Sequence, residues 1–195
     1  MNTAISIVVP VYNEEENIRP FLERLEPVVK KIAVTSEIIF VLDPSTDQSE
    51  HVILQEIERN TDIKMLVMSR RFGQPAATMA GLLLCTGETC VVIDVDLQDP
   101  PELIQEMYER LQNGLEVVYA TRRSRKGETF VKRSVSWLGY AAINKASDIS
   151  IPRDTGDFRI MTRRVIEELR NLNENHAFLR GLVAYVGFRQ ASVEY

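Results

Sequence analysis

Two aspartates one residue apart, Asp94 and Asp96, follow the apolar run Thr89-Cys90-Val91-Val92-Ile93 and lead into Leu97-Gln98-Asp99-Pro100-Pro101-Glu102. Paired carboxylates where a buried strand emerges suit a hard divalent cation, and such cations commonly come to proteins with phosphate attached. The same residue types also stop strands and cap helices, so the pair alone decides nothing. Its neighbours along the chain do. Tyr12-Asn13-Glu14 and the clusters at 43–47, 70–74 and 94–99 each follow an apolar run.

Those runs and the segments between them alternate in period. Residues 4–11, 37–42, 63–68, 89–93 and 117–120 read as strands, the first two as strands covered on both faces. Between them, apolar residues recur at helical spacing: Ile18, Phe21, Leu22, Leu25, Val28 and Val29, then Val52, Ile53 and Ile57, then 75–85, which is rich in small residues, and 103–111. Asn13 with Glu16 is the pattern of a capping box for the first of these helices. Alternating strands and helices predict a single α/β domain with a mostly parallel sheet and helices on both faces. In such sheets ligands bind beyond the carboxyl ends of the strands, so the four polar clusters are expected to converge on one crevice.

Composition limits the partners. With 195 residues, 45% hydrophobic, the chain can bury a substantial core, and its net charge of -5 disfavours a duplex nucleic-acid binder. Cys85 and Cys90 lie in apolar stretches and read as reduced core residues, while His51 and His176 are isolated and read as surface or helix-end residues. No segment approaches the ~18 apolar residues of a bilayer span. The basic residues Arg122, Arg123, Arg125, Lys126, Lys132 and Arg133 stand out in an otherwise acidic chain, followed by an amphipathic pattern around Trp137. They read either as a solvated loop before a core-facing helix or as a mouth for phosphate or an anionic membrane surface.

Taken together, Val9-Pro10-Val11-Tyr12-Asn13-Glu14-Glu15-Glu16-Asn17, the second strand with Asp43, Ser45, Thr46 and Asp47, residues 70–74 and residues 94–102 resemble family 2 glycosyltransferases of the Rossmann-like GT-A fold. Within that family, residues 94–102 and Gly156-Asp157-Phe158-Arg159 look like the polyprenyl-phosphate glycosyltransferases, with the latter motif closer to the bacterial glucosyl-transferring branch. The resemblance covers nearly the whole chain. It implies an inverting, metal-dependent enzyme that moves a sugar from a UDP-glucose-like or GDP-mannose-like donor to undecaprenyl or dolichyl phosphate at the cytoplasmic side of a membrane. The chain would be peripheral there, with a homo-oligomer left open. A nucleotide-sugar half over residues 1–120 and an acceptor half over 121–195 are expected.

The resemblance also suggests roles. Asp94 and Asp96 would hold Mg²⁺ or Mn²⁺, and Gln98 is either a third oxygen ligand or a helix-entry residue. Pro10, Tyr12, Glu14, Asp43, Gln74, Asp94 and Val95 would line the donor site, although Tyr12 also reads as core and Glu14 as a helix-terminus charge. Arg122 and Arg133 would bind phosphate. Asp157 would position the acceptor through Arg159, or serve as a base, with a structural loop role as the alternative.

The sequence departs from the family's pattern at Leu42 and Pro44, where relatives carry an acidic residue or Asn and a glycine, which leaves the base contact on that strand to Asp43 alone. Relatives also continue into an Arg-rich segment and often membrane helices, whereas this chain stops at Tyr195, so a shortened chain is expected. Rival readings are a family 2 enzyme acting on a polysaccharide or protein, a non-catalytic nucleotide-sugar-binding module, and a nucleotidyltransferase, the last lacking a glycine-rich phosphate loop.

Overall fold

The apolar runs at 5–11, 37–42 and 89–92 become strands buried on both faces, whereas the run at 63–67 is only partly covered. The computed structural model describes residues 3–32, 35–122, 155–172 and 179–195. Arg133, the amphipathic pattern around Trp137 and His176 lie outside them. In chain order the elements are β1 (Ile5–Val11), α1 (Ile18–Ile32), β2 (Ser36–Leu42), α2 (Ser49–Arg59), β3 (Ile63–Val67), α3 (Gln74–Leu84), β4 (Thr89–Val92), α4 (Leu103–Gln112), β5 (Val117–Thr121), β6 (Thr155–Thr162), α5 (Arg163–Asn171), α6 (Leu179–Tyr185) and β7 (Gln190–Glu194).

The strands form one sheet in the order β3-β2-β1-β4-β6-β5-β7. Every pairing is parallel except the two that β6 makes, with β4 and with β5. Alternate side chains divide the interior into two cores. Ile5, Ile7, Val9, Ile38, Phe40, Val91 and Phe158 pack with α1, α2 and α4, whereas Val8, Ile39, Val41, Cys90, Val92 and Met161 pack with α3, α5 and α6. Cys85 and Cys90 are free and buried in the second core.

Four elements had no counterpart in the periodic reading: β6, α5, α6 and β7. One local expectation is corrected. Asn13 and Glu16 form no capping box, and α1 starts only at Ile18, after a turn in which the Asn17 N–H donates to the Glu14 carbonyl at 2.9 Å. Asn13 instead adopts φ 55°, and its side-chain oxygen accepts from the Thr46 N–H at 2.8 Å. The loop after β2 supplies more partners than a local cap could: Ser45 Oγ accepts from the Asn13 N–H, Ser49 Oγ from the Glu14 N–H and Asp47 Oδ2 from the Glu15 N–H. The loops after β1 and β2 are thereby joined along one side of the crevice.

No helix among the described residues is long and apolar enough to cross a membrane.

Candidate active site

Beyond the carboxyl ends of β1, β2 and β4 lies an open cleft lined by Pro10, Val11, Tyr12, Glu14, Asp43, Gln74, Ala77, Asp94, Val95 and Asp96. All seven residues expected at the donor site are among these.

Each wall has a local cause. Asp43 is buried, with Oδ1 accepting from the Phe72 N–H at 3.2 Å and Oδ2 from the Gly73 N–H at 2.7 Å. It therefore clamps the loop before α3, where Gly73 at φ 89° takes a backbone conformation few other residues adopt. Tyr12 is half-buried in the cleft rather than in the core, and the Arg71 guanidinium lies 3.9 Å from its ring centroid. Arg71 Nη1 also donates to the Tyr12 hydroxyl at 3.3 Å, so one ring face is already covered. The Glu14 carboxylate accepts from Asn17 Nδ2 at 2.6 Å.

The floor is acidic. Asp96 Oδ1 accepts from the Gln98 N–H at 3.0 Å, closing a turn around Leu97, which sits at φ 58°. That left-handed conformation costs a branched residue roughly 1–2 kcal/mol, and such strain concentrates at functional sites. Gln74 Nε2 donates to Asp94 Oδ1 at 2.7 Å. Burial, reinforced by the charges of Asp157, Asp96 and Asp99 and opposed by the Gln74 hydrogen bond, raises the Asp94 carboxyl from its ordinary 3.8 to about 6.

Four carboxylates thus influence one another, but their partners differ. Asp99, 6% exposed, pairs with Arg122 at 2.7 Å, and Asp157 pairs with Arg180 at 2.9 Å. Among the described residues, no arginine or lysine pairs with Asp94 or Asp96, which hold only the Gln74 amide and a backbone N–H. No set of three His, Cys, Asp or Glu side chains among the described residues is arranged to hold a metal ion. Two carboxylates fit a cation that completes its shell with phosphate oxygens and water, as Mg²⁺ commonly does.

The remaining expectations divide. Gln98 is exposed, and its Oε1 accepts from Arg122 Nη1 at 3.4 Å, so metal ligation requires it to rotate. Arg159 is not the nearer partner of the Asp157 carboxylate. Arg159 Nη2 is 3.7 Å from that carboxylate, and the guanidinium binds the main-chain carbonyls of Asp157 and Gly156 instead. Burial lowers Arg159 to about 10, against the opposing pull of Asp157. Arg180, absent from the sequence reading, is the closer partner, and no local pattern marks it. Asp99 stood in a quoted motif without a role. Arg71 lies in a polar cluster whose individual members the sequence does not distinguish, and Tyr195 directly follows β7, a strand outside the periodic reading.

The model of glycosyl transferase family 2 matches residues 6–170. The chain is 47% identical to the uncharacterized glycosyltransferase YkcC of Bacillus subtilis, over 97% of this chain and 59% of that protein. It is 37% identical to a prophage bactoprenol glucosyl transferase homolog of Escherichia coli, over 98% of this chain and 62% of the other. The chain thus spans about 60% of the length of these curated relatives. Among solved structures, mannosyltransferase PcManGT from Pyrobaculum calidifontis, in complex with GDP-Man and Mn²⁺, superposes with a TM-score of 0.70 at 20% identity, covering 100% of this chain and 55% of that one. Glucosyl-3-phosphoglycerate synthase from Mycobacterium tuberculosis, in complex with Mn²⁺, UDP-glucose and phosphoglyceric acid, gives 0.65 at 19% identity, covering 98% and 70%. Both likenesses concern the fold, which is that of GT-A glycosyltransferases.

Proposed function

The chain belongs to glycosyl transferase family 2, and on that premise we propose that it transfers a hexosyl group from a nucleotide-sugar to a polyprenyl phosphate. The transfer is a single in-line displacement that inverts the anomeric centre. The observation that carries this reading is the pair Asp94 and Asp96, without an arginine or lysine partner among the described residues, at the floor of a cleft whose other walls suit a nucleoside. Relatives named as bactoprenol glucosyl transferases, at 37% identity, favour glucose and a polyprenyl-phosphate acceptor. Bound UDP-glucose and GDP-mannose in structures of the same fold favour a nucleotide-sugar.

In this reading Pro10, Tyr12, Glu14, Asp43 and Val95 frame the nucleoside, and Gln74 steadies Asp94. Asp94 and Asp96 hold Mg²⁺ or Mn²⁺, with Gln98 beside them, and the cation when bound supplies neutralisation of the charge growing on the departing diphosphate. Arg122 and Arg133 present guanidinium groups to phosphate. A polyprenyl phosphate, with a second pKa near ~6, arrives largely ionised and needs little deprotonation. Asp157, held by Arg180 at 2.9 Å, therefore positions the acceptor and acts as a base only secondarily. Rate enhancement comes from positioning and charge stabilisation. A lipid-borne acceptor places the working protein against the cytoplasmic surface of a membrane.

Labelled UDP-glucose and GDP-mannose, each incubated with the chain, Mn²⁺ and undecaprenyl phosphate in detergent micelles, test the reading. Label is expected to pass into the organic phase, and to stay in water when the lipid is omitted. Transfer to a polysaccharide or protein in preference to the lipid would overturn the acceptor assignment.

A further inference from the structure

Arg122 stands at the end of β5 and is held from two sides. Its Nη2 donates to Asp99 Oδ1 at 2.7 Å, and its Nε donates to the Tyr195 hydroxyl at 2.7 Å and, at 3.3 Å, to the same carboxylate oxygen. The Tyr195 hydroxyl in turn donates to Asp99 Oδ1, so three residues from distant parts of the chain close a triangle. The backbone fixes Tyr195 in place. β7 runs parallel to β5 with Thr121 paired to Glu194, and the Tyr195 N–H donates to the Thr121 carbonyl at 3.0 Å.

The triangle leaves one edge of the guanidinium spare. Among the described residues Nη1 has only a long contact, 3.4 Å, to Gln98 Oε1, and the side chain is 36% exposed. Gln98, whose N–H donates to Asp96 Oδ1 at 3.0 Å, links this edge to the acidic floor. An arginine on an open surface spreads over many rotamers and loses that freedom when it binds an anion. One held in advance loses less.

Burial, and the hydrogen bond to Asp99, push the Tyr195 hydroxyl up to about 12, against the pull of Arg122. It therefore stays protonated near neutrality and keeps its donor role. Burial of Asp99 favours a second donor to its carboxylate besides Arg122.

We infer that Tyr195 is a positioning residue: its hydroxyl, acting with Asp99, fixes Arg122 so that the free guanidinium edge meets a phosphate oxyanion of the donor or the acceptor. This rests on the glycosyltransferase reading for the identity of the anion, and on geometry for the triangle. Tyr195→Phe keeps the ring and removes only the hydroxyl. The probes are inorganic pyrophosphate with Mn²⁺, standing for the leaving group, and inorganic phosphate, standing for the acceptor. Both are measured by calorimetric titration of the whole chain, without turnover.

The expected result is about tenfold weaker binding of one probe by Tyr195→Phe, with the melting temperature lowered by only about 2–4 °C. No further loss is expected when the same change is made in an Arg122→Ala background, because residues acting through one another are non-additive. The probe that weakens tells which phosphate Arg122 meets. Wild-type affinity for both probes in Tyr195→Phe would overturn the inference. So would a loss of equal size in the Arg122→Ala background, which also covers a variant that merely folds poorly. Absence of sugar transfer by the wild-type chain would overturn the proposed function instead, and the binding measurement would still read out.

Discussion

Gln74 Nε2 donates to Asp94 Oδ1 at 2.7 Å, which ties the first residue of α3 to the carboxylate at the end of β4. Residues that orient a metal-binding carboxylate typically contribute 10- to 100-fold to affinity. Gln74→Ala is therefore expected to raise the Mn²⁺ concentration for half-maximal transfer by about tenfold. It should also reduce the thermal stabilisation that Mn²⁺ with a nucleoside diphosphate gives the protein. An unchanged Mn²⁺ midpoint would remove Gln74 from the site.

Asp94 predicts opposite effects on stability and activity. Its carboxyl is raised from 3.8 to about 6, so between those values the folded chain holds more protons than the unfolded one. Stability of the metal-free protein contributed by this group is thus greatest below about pH 4 and declines as pH rises through 6. Asp94→Asn removes the buried charge. At pH 7 without metal the variant should melt above wild type, while transfer falls by about two orders of magnitude or more. A variant that melts lower and transfers normally would contradict both halves of the expectation.

Glu37 lies at the opposite end of the sheet and shows the reverse sign. Burial alone would raise its carboxyl, but hydrogen bonds from Lys64, Ser6 and Thr86 outweigh burial and hold it at about 2, below its ordinary 4.5. Its stabilising contribution is therefore complete above about pH 4.5 and is lost as pH falls towards 2. Glu37→Gln should cost about 2 kcal/mol at pH 7, by leaving polar partners imperfectly matched. Denaturant midpoints recorded from pH 7 to pH 3 should converge for wild type and variant. Parallel curves would show that the carboxylate charge is not what these partners recognise.

α3 approaches the sheet through Gly81. An added methyl there would meet Val8 Cγ1 and come within 3.0 Å of Val41 Cγ2, neither of which sits on a flexible side chain. Gly81→Ala should destabilise the protein by about 1–3 kcal/mol through overpacking, and Val8→Ala in the same chain should restore most of the loss. Because α3 begins at Gln74, the single variant is also expected to loosen nucleotide binding, read by the same calorimetric titration. Retention of full stability by Gly81→Ala alone would mean that α3 can move without cost.

The cleft was legible because parallel-sheet topology sends every strand end to the same side, so Tyr12, Asp43, Gln74 and Asp94 could be gathered without knowing a distance. Asp43 shows the limit of that reading. Its place was visible, but its hold on the Phe72 and Gly73 N–H groups depends on a loop path that no residue pattern encodes. The Asn13 cap failed for a related reason, since a local motif lost to Ser45 and Thr46, about 32 residues away. β6 escaped notice because Thr155–Thr162 carries Gly, Asp and Arg among its apolar residues and packs between two other strands, where tertiary pairing outweighs propensity. Arg180 meets Asp157 from 23 residues away, and Tyr195 meets Arg122 and Asp99 from 73 and 96 residues away.

β6 sits between β4 and β5 and runs against both, with Val92 paired to Arg159. Continued two residues further, the same register brings Asp94 opposite Asp157. Asp157 thus stands on a strand of that ladder, while Asp94 follows β4 by two residues. A single-residue insertion or deletion at the start of β6 would turn Asp157 towards the other face of the sheet. Exchange of acceptor segments between relatives should therefore succeed only when the transplanted piece carries all of β6 and keeps its count of residues against β4.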